Sequence, residues 1–128
     1  MNNNQEKTER EQLLETLGFE LKHIGINCEN EAEADASAST FEKMFGFPKK
    51  SGISSIFAGS AIEAMKTPYL GEKGHIAIGT NDIESAMKFL ESEGFGIDME
   101  TAKYKDDQLA AVYLTENVSG FAIHLLQK

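Results

Sequence analysis

The strongest constraint on this chain is that it repeats itself. The string His23–Asn27 (HIGIN) returns as His75–Gly79 (HIAIG), an offset of 52, and Gly46-Phe47 returns as Gly94-Phe95, an offset of 48. Ile62-Glu63 matches Ile123-His124 at an offset of 61, so the first helical region carries four extra residues and the second half a longer final connection. Each half reads strand, helix, strand, strand, strand. At 128 residues in total, neither half holds enough core to stand alone, and a duplication within one domain is the economical reading. The expected class is α+β, with two βαβββ modules at about residues 19–70 and 71–128 and a tail with a short helix over residues 1–18.

Local signals place the elements. Residues 1–5 are Asn/Gln-rich and expected to fray, whereas Thr8 to Leu17 carries Leu13, Leu14 and Leu17 at helical spacing and ends at Gly18. From Phe19 the period becomes two, with Phe19, Leu21, His23, Gly25 and Asn27 on one face and Ile24, Ile26 and Cys28 on the other. Glu29, Glu31, Glu33 and Asp35 put negative charge at the start of a helix of about four turns that stops at Gly46. After the turn signals Pro48 and Gly52, Ser54–Ala58 and Ala61–Lys66 read as a hairpin. In the second half Asn81 and Asp82 offer an N-cap, and Ile83, Ala86, Met87 and Leu90 form a helical stripe that ends at Gly94. Strands are expected at about Phe95–Thr101, Leu109–Thr115 and Gly120–Leu126, with Lys103, Tyr104 and Lys105 in a loop and Glu116-Asn117 in a turn.

Charge and hydropathy exclude some partners. Twelve Lys and Arg against 21 Asp and Glu leave a net charge of −9, and no basic segment would neutralise a row of phosphates, so nucleic acid is not expected as a partner. No apolar run approaches the roughly 20 residues that cross a bilayer, and the first residues lack a signal-peptide core, so a cytoplasmic protein without membrane partners is expected. The single Cys28 cannot pair internally, and on the Ile24/Ile26 face it reads as a small buried hydrophobe. The acidic run Glu29–Asp35 lacks the Gly turn and closing Glu of a calcium loop.

The chemistry gathers on the histidines. The chain has three, and all fall at equivalent repeat positions: His23 and His75 open the first strand of their halves, and His124 sits in the last strand, where the first half has Glu63. Each has an isoleucine beside it (Ile24, Ile62, Ile76, Ile123), so if those pack on helices the four polar groups share the opposite face. Imidazole nitrogen with carboxylate oxygen suits Zn, Ni, Fe, Mn or Co better than Ca or Mg, and such a set with an open position makes a Lewis-acid site.

With these residues the chain resembles the vicinal oxygen chelate superfamily, which includes glyoxalase I, methylmalonyl-CoA epimerase, extradiol dioxygenases and bleomycin-resistance proteins. More narrowly, the strings LGFELKHIGIN, SIFAG, PYLGEKGHIAIGTN, ETAKY and GFAIHLLQK are similar to the module appended to some bacterial 2-keto-3-deoxy-6-phosphogluconate aldolases. The resemblance covers about residues 19–128. It implies a cup-shaped half-barrel sheet with metal ligands His23, Glu63, His75 and His124. It implies a lyase or isomerase acting on a small 2-oxo or hydroxy-carbonyl compound held through two oxygens, with Glu63 or a displaced ligand as base. Glyoxalase I-like enzymes usually have a carboxylate where this chain has His124, which weakens that particular assignment. The aldolase barrel itself is absent from this chain.

Two further readings follow from the resemblance: a non-catalytic small-molecule binding module of the bleomycin-resistance kind, and an accessory or dimerisation module associated with a sugar-acid aldolase. The modules of this superfamily pair within a chain or between chains. A homodimer is expected, as in small glyoxalases, with His23 and Glu63 of one subunit meeting His75 and His124 of another. Candidate substrate contacts are Met65, which follows Glu63 on its strand, Tyr69 between the halves, and Lys103 and Tyr104. Phe19, Phe57 and Phe121 read as core residues.

Overall fold

A computed structural model describes residues 6–128; the expected fraying of residues 1–5 lies outside them. The leading helix α1 (Glu9–Leu17) is capped by Thr8, whose hydroxyl accepts from Glu11 N–H while the Glu11 carboxylate accepts from Thr8 N–H, and it ends at Gly18 in the left-handed conformation. The first module is β1 (Glu20–Asn27), α2 (Glu31–Phe45), β2 (Lys49–Ser51), β3 (Ser55–Ala58) and β4 (Ile62–Met65). The second is β5 (Gly74–Thr80), α3 (Ile83–Ser92), β6 (Ile97–Lys105), β7 (Gln108–Val118) and β8 (Phe121–Gln127). Asn30 caps α2 and Asp82 caps α3, each through its side-chain oxygen. None of these helices is long and apolar enough to cross a membrane.

All eight strands form one open sheet in the order β2-β3-β4-β1-β5-β8-β7-β6, mirrored about the antiparallel β1–β5 seam. The repeat offsets reappear as strand register. β1 runs parallel to β4 with Ile24 beside Ile62, and β5 runs parallel to β8 with Ile76 beside Ile123. Gly25 beside Glu63 therefore corresponds to Ala77 beside His124. Each module packs its helix on the same side of the sheet over its own core. Ala34 and Ala38 of α2 lie on Ile56, Ala58 and Ala64, and Ile83, Ala86 and Phe89 of α3 lie with Leu17 on Leu109, Val112 and Leu125. Cys28 is buried in the first of these cores, as its face suggested.

Several local expectations change. Lys49–Ser51, between the two turn signals, pairs with β3 as an edge strand. Lys103, Tyr104 and Lys105 belong to β6, because the β6–β7 loop is only Asp106-Asp107, both at positive φ (52° and 62°) as a two-residue hairpin demands. Glu116 and Asn117 continue β7, and the turn falls at Ser119-Gly120, again at positive φ. A bulge at Lys22, where Leu21 opposes Ile78 but His23 opposes Ala77, breaks the alternation, so Phe19 packs on the α3 core, on the side of the sheet away from His23.

Candidate metal centre

β1, β4, β5 and β8 lie side by side at the middle of the sheet, and their helix-free faces bring His23, Glu63, His75 and His124 together within one chain. The β1–β5 seam makes this convergence intramolecular, unlike the expected sharing between two subunits. His23 Nε2 and His75 Nε2 are 3.2 Å apart, and Glu63 Oε1 lies 3.2 Å from the first and 3.0 Å from the second. Ser55 Oγ donates to Glu63 Oε2 at 2.6 Å, which turns Oε1 toward the imidazoles. His124 stands further back, and the ligand-capable nitrogens of the three histidines lie within 4.8 Å of one another.

The neighbouring side chains orient this set. Gly25 leaves room for the His75 ring: a Cβ on Gly25 would lie 2.6 Å from His75 Nε2 and nearer still to Cε1 and Nδ1. His75 is only 3% exposed. Tyr113, opposite His124 on β7, stacks on it with rings 4.1 Å apart and 3° from parallel. Phe57, opposite Glu63 on β3, packs its ring roughly perpendicular to that of His23 with centroids 5.6 Å apart, so it walls the site and is not a core residue.

Electrostatics follow from these contacts. Burial alone would raise the Glu63 carboxyl, but hydrogen bonds with His23, His75 and Ser55 outweigh it and hold the group well below the usual carboxylate range. Burial, reinforced by the charges of His75, His23 and Lys103, pushes His124 down to about 4 and keeps its imidazole neutral. Burial, with Tyr69 and Glu63 nearby, raises the Tyr113 phenol, which stays protonated.

The donor set fits a divalent cation. Ligand atoms at about 2.0–2.1 Å from a metal, at tetrahedral to octahedral angles, lie roughly 2.9–3.4 Å from one another. The Nε2, Nε2, Oε1 triangle, with sides of 3.0 to 3.2 Å, falls in that range. His75 Nδ1 and His124 Nδ1 are buried with no hydrogen-bond partner, but a cation held at His75 Nε2 would leave His75 Nδ1 as it is, so the triangle itself carries the fit.

The other candidates separate. Met65 lies on the site's face beside Asn27 and Ser55. Tyr69 is half-exposed, held by Asn27 and set edge-on to Tyr113 at 5.9 Å. Lys103 opposes Ala111, two residues from Tyr113 on the same face. Tyr104 opposes the core residue Leu109, because the β6–β7 pairing skips Ala110, so it sits on the helix side away from the site. Sequence reasoning missed Gly25, Ser55 and Tyr113; a glycine, a serine and a tyrosine in strands have ordinary readings, and only register shows what they face.

No protein-family model matches the chain, and no curated protein matches it in sequence. Solved structures do match in fold. A methylmalonyl-CoA epimerase from Mycobacterium tuberculosis is 17% identical, with 84% of this chain and 86% of that chain covered at a TM-score of 0.57. A variant Streptomyces coelicolor methylmalonyl-CoA epimerase in complex with 2-nitronate-propionyl-CoA is 16% identical, over 85% and 94% of the two chains, at 0.58. A hypothetical protein from Bacillus halodurans is 16% identical, over 86% and 94%, at 0.60. The chain has the fold of these proteins, the glyoxalase or vicinal oxygen chelate fold.

Proposed function

We propose that the chain is a glyoxalase-like, metal-dependent isomerase or lyase that acts on a small 2-oxo or hydroxy-carbonyl compound held through two oxygens. The observation that carries this reading is the triangle of His23 Nε2, His75 Nε2 and Glu63 Oε1, with His124 behind it. These four residues would hold a divalent ion (Zn, Ni, Mn, Fe or Co). Such an ion, when bound, supplies a Lewis acid that polarises a chelated carbonyl and acidifies the adjacent C–H.

The chain's own residues supply position and proton handling. Ser55 fixes the Glu63 carboxylate, Tyr113 fixes the plane of His124, and Phe57 with Tyr69 walls the space before the set. Glu63 has little proton affinity while both imidazoles and Ser55 bond it, so it serves as ligand in preference to base. The base is a ligand displaced when substrate binds, or Glu63 itself once freed from these bonds. Met65, Tyr69 and Lys103 are the proposed substrate contacts; Tyr104, on the helix side, is not one. The epimerases of this fold, one of them bound to a CoA ester, support an isomerisation at a carbon beside a carbonyl.

A cytoplasmic homodimer completes the reading, supported by the open edges at β2 and β6 and the exposed Met44, Phe45 and Ile53 near the β2 edge; light scattering at micromolar concentration tests it. Association with a sugar-acid aldolase rests on the sequence resemblance and is tested by co-purification. The deciding experiment is elemental analysis of tag-free protein purified without chelator. About one transition metal per chain, lost together with activity in His75→Ala, is expected. Stoichiometric absence of metal after reconstitution, with ligand still raising Tm, would move the assignment to a metal-free binding module.

A further inference from the structure

Lys49 and Lys50 are neighbours on β2 that face opposite ways. Lys49 opposes Ala58 and turns to the helix side, where its Nζ meets Asp35 at 2.9 Å and Ser39 at 3.0 Å. Lys50 opposes Phe57 and so shares the face of the histidine set; it has no ion pair among the described residues. On that face a groove of about 490 Å³ is lined by Lys50, Ser51, Ser55, Phe57 and Ser60. Two of these residues also belong to the metal centre: Ser55, 5% exposed, bonds Glu63, and Phe57 borders His23. The groove therefore starts at the carboxylate ligand and ends at an unpaired cation near the Ser60 hydroxyl. In a chain of net charge −9, a lysine left free at the mouth of a site is an electrostatic choice of ligand.

We propose that this groove is a second subsite, which binds a distal anionic group, carboxylate or phosphate, of the molecule whose vicinal oxygens face His23, Glu63, His75 and His124. Lys50 supplies the charge, and Ser60 supplies a hydroxyl donor. The inference rests on the proposed function and narrows its substrate class to 2-oxo or hydroxy-carbonyl compounds that carry a second anion.

The test compares three probes by calorimetry on zinc-loaded protein: pyruvate, which has no distal anion, 2-oxoglutarate, with a distal carboxylate, and phosphonopyruvate, with a distal phosphonate. At least one of the latter two should bind about tenfold tighter than pyruvate at low salt, and the preferred one identifies the anion. Lys50→Gln should abolish that advantage and leave pyruvate unchanged, whereas Lys88→Gln, an equal charge change on α3, should keep it. Equal affinity for all three probes, or an advantage that survives Lys50→Gln, overturns the subsite. If zinc does not bind, or none of the probes does, the proposed function fails, and the groove is judged alone by titrating metal-free protein with inorganic phosphate. Saturable amide shifts at Lys50, Ser51 and Ser60 then support it, and their absence overturns it.

Discussion

Gly25→Ala should empty the metal centre without touching a ligand. The added methyl would stand 2.6 Å from His75 Nε2 and closer to two other ring atoms, where ordinary contacts are about 3.5–4.0 Å. The ring must then retreat by about 1 Å or more, although it is 3% exposed and flanked on β8 by the equally buried Ala122. Metal–ligand distances tolerate only about 0.2 Å, so the displacement removes His75 from the set. Metal affinity should fall by about a hundredfold or more, and overpacking should cost about 1–3 kcal/mol of stability. A competition titration against a chromophoric chelator reads the first effect and thermal unfolding the second. Gly79→Ala, on the same strand pair, is the control, because its methyl would meet only the flexible side chains of Lys22 and Lys128. Wild-type metal affinity in Gly25→Ala would refute the reasoning, since the ring would then have room that the packing denies it.

Other perturbations separate the contributions. Ser55→Ala frees Glu63 Oε2 and should weaken metal binding about tenfold with little change in fold, read by the same titration. In metal-free protein His124 stays neutral to about pH 4, whereas an unfolded histidine takes a proton near 6.5. The unfolded state therefore gains protons first as pH falls, and stability should drop by about 2 kcal/mol between pH 7 and 5. Urea unfolding should show His124→Gln losing most of that slope; an unchanged slope would exclude His124 as its source. Asp107→Gly relieves a positive φ in the β6–β7 turn and should raise stability by about 0.5–1 kcal/mol, measured as Tm, with metal content unchanged.

The parts of this chain that the sequence discloses are those with a strict period or a strict partner. The offsets 52 and 61 reappear as the pairs Ile24/Ile62 and Ile76/Ile123, and with them the convergence of His23, Glu63, His75 and His124. Helix starts were legible at Asp82, which caps by local chemistry, and at the acidic run after Cys28, whose charge favours a helix N-terminus; the caps Thr8 and Asn30 show only in the structure. Residues beyond a bulge were not: one extra residue at Lys22 inverts the alternation past it, which put Phe19 on the wrong face although it is core, whereas Tyr104 was read in a loop because the strand β6 runs further than its pattern. Three-residue β2 is too short to carry a period, and Asp106-Asp107 lacks the glycine that usually marks so tight a turn. Whether the modules meet within a chain or between chains was not legible either, because the same residues line the seam in both arrangements.

Asn27 bears on that last choice. Its side chain accepts from Tyr69 N–H and donates to the Gly71 carbonyl, stitching the segment between β4 and β5 to the end of β1. A short, anchored tether holds β5 beside β1 at a local concentration far above that of any second molecule, so the intramolecular seam wins by proximity even where the contacts are equal. Cutting those stitches would leave every ligand and every strand pair intact yet lower that concentration. Exchange of modules between molecules would then become a matter of protein concentration, and one sequence would have two assemblies sharing a single centre.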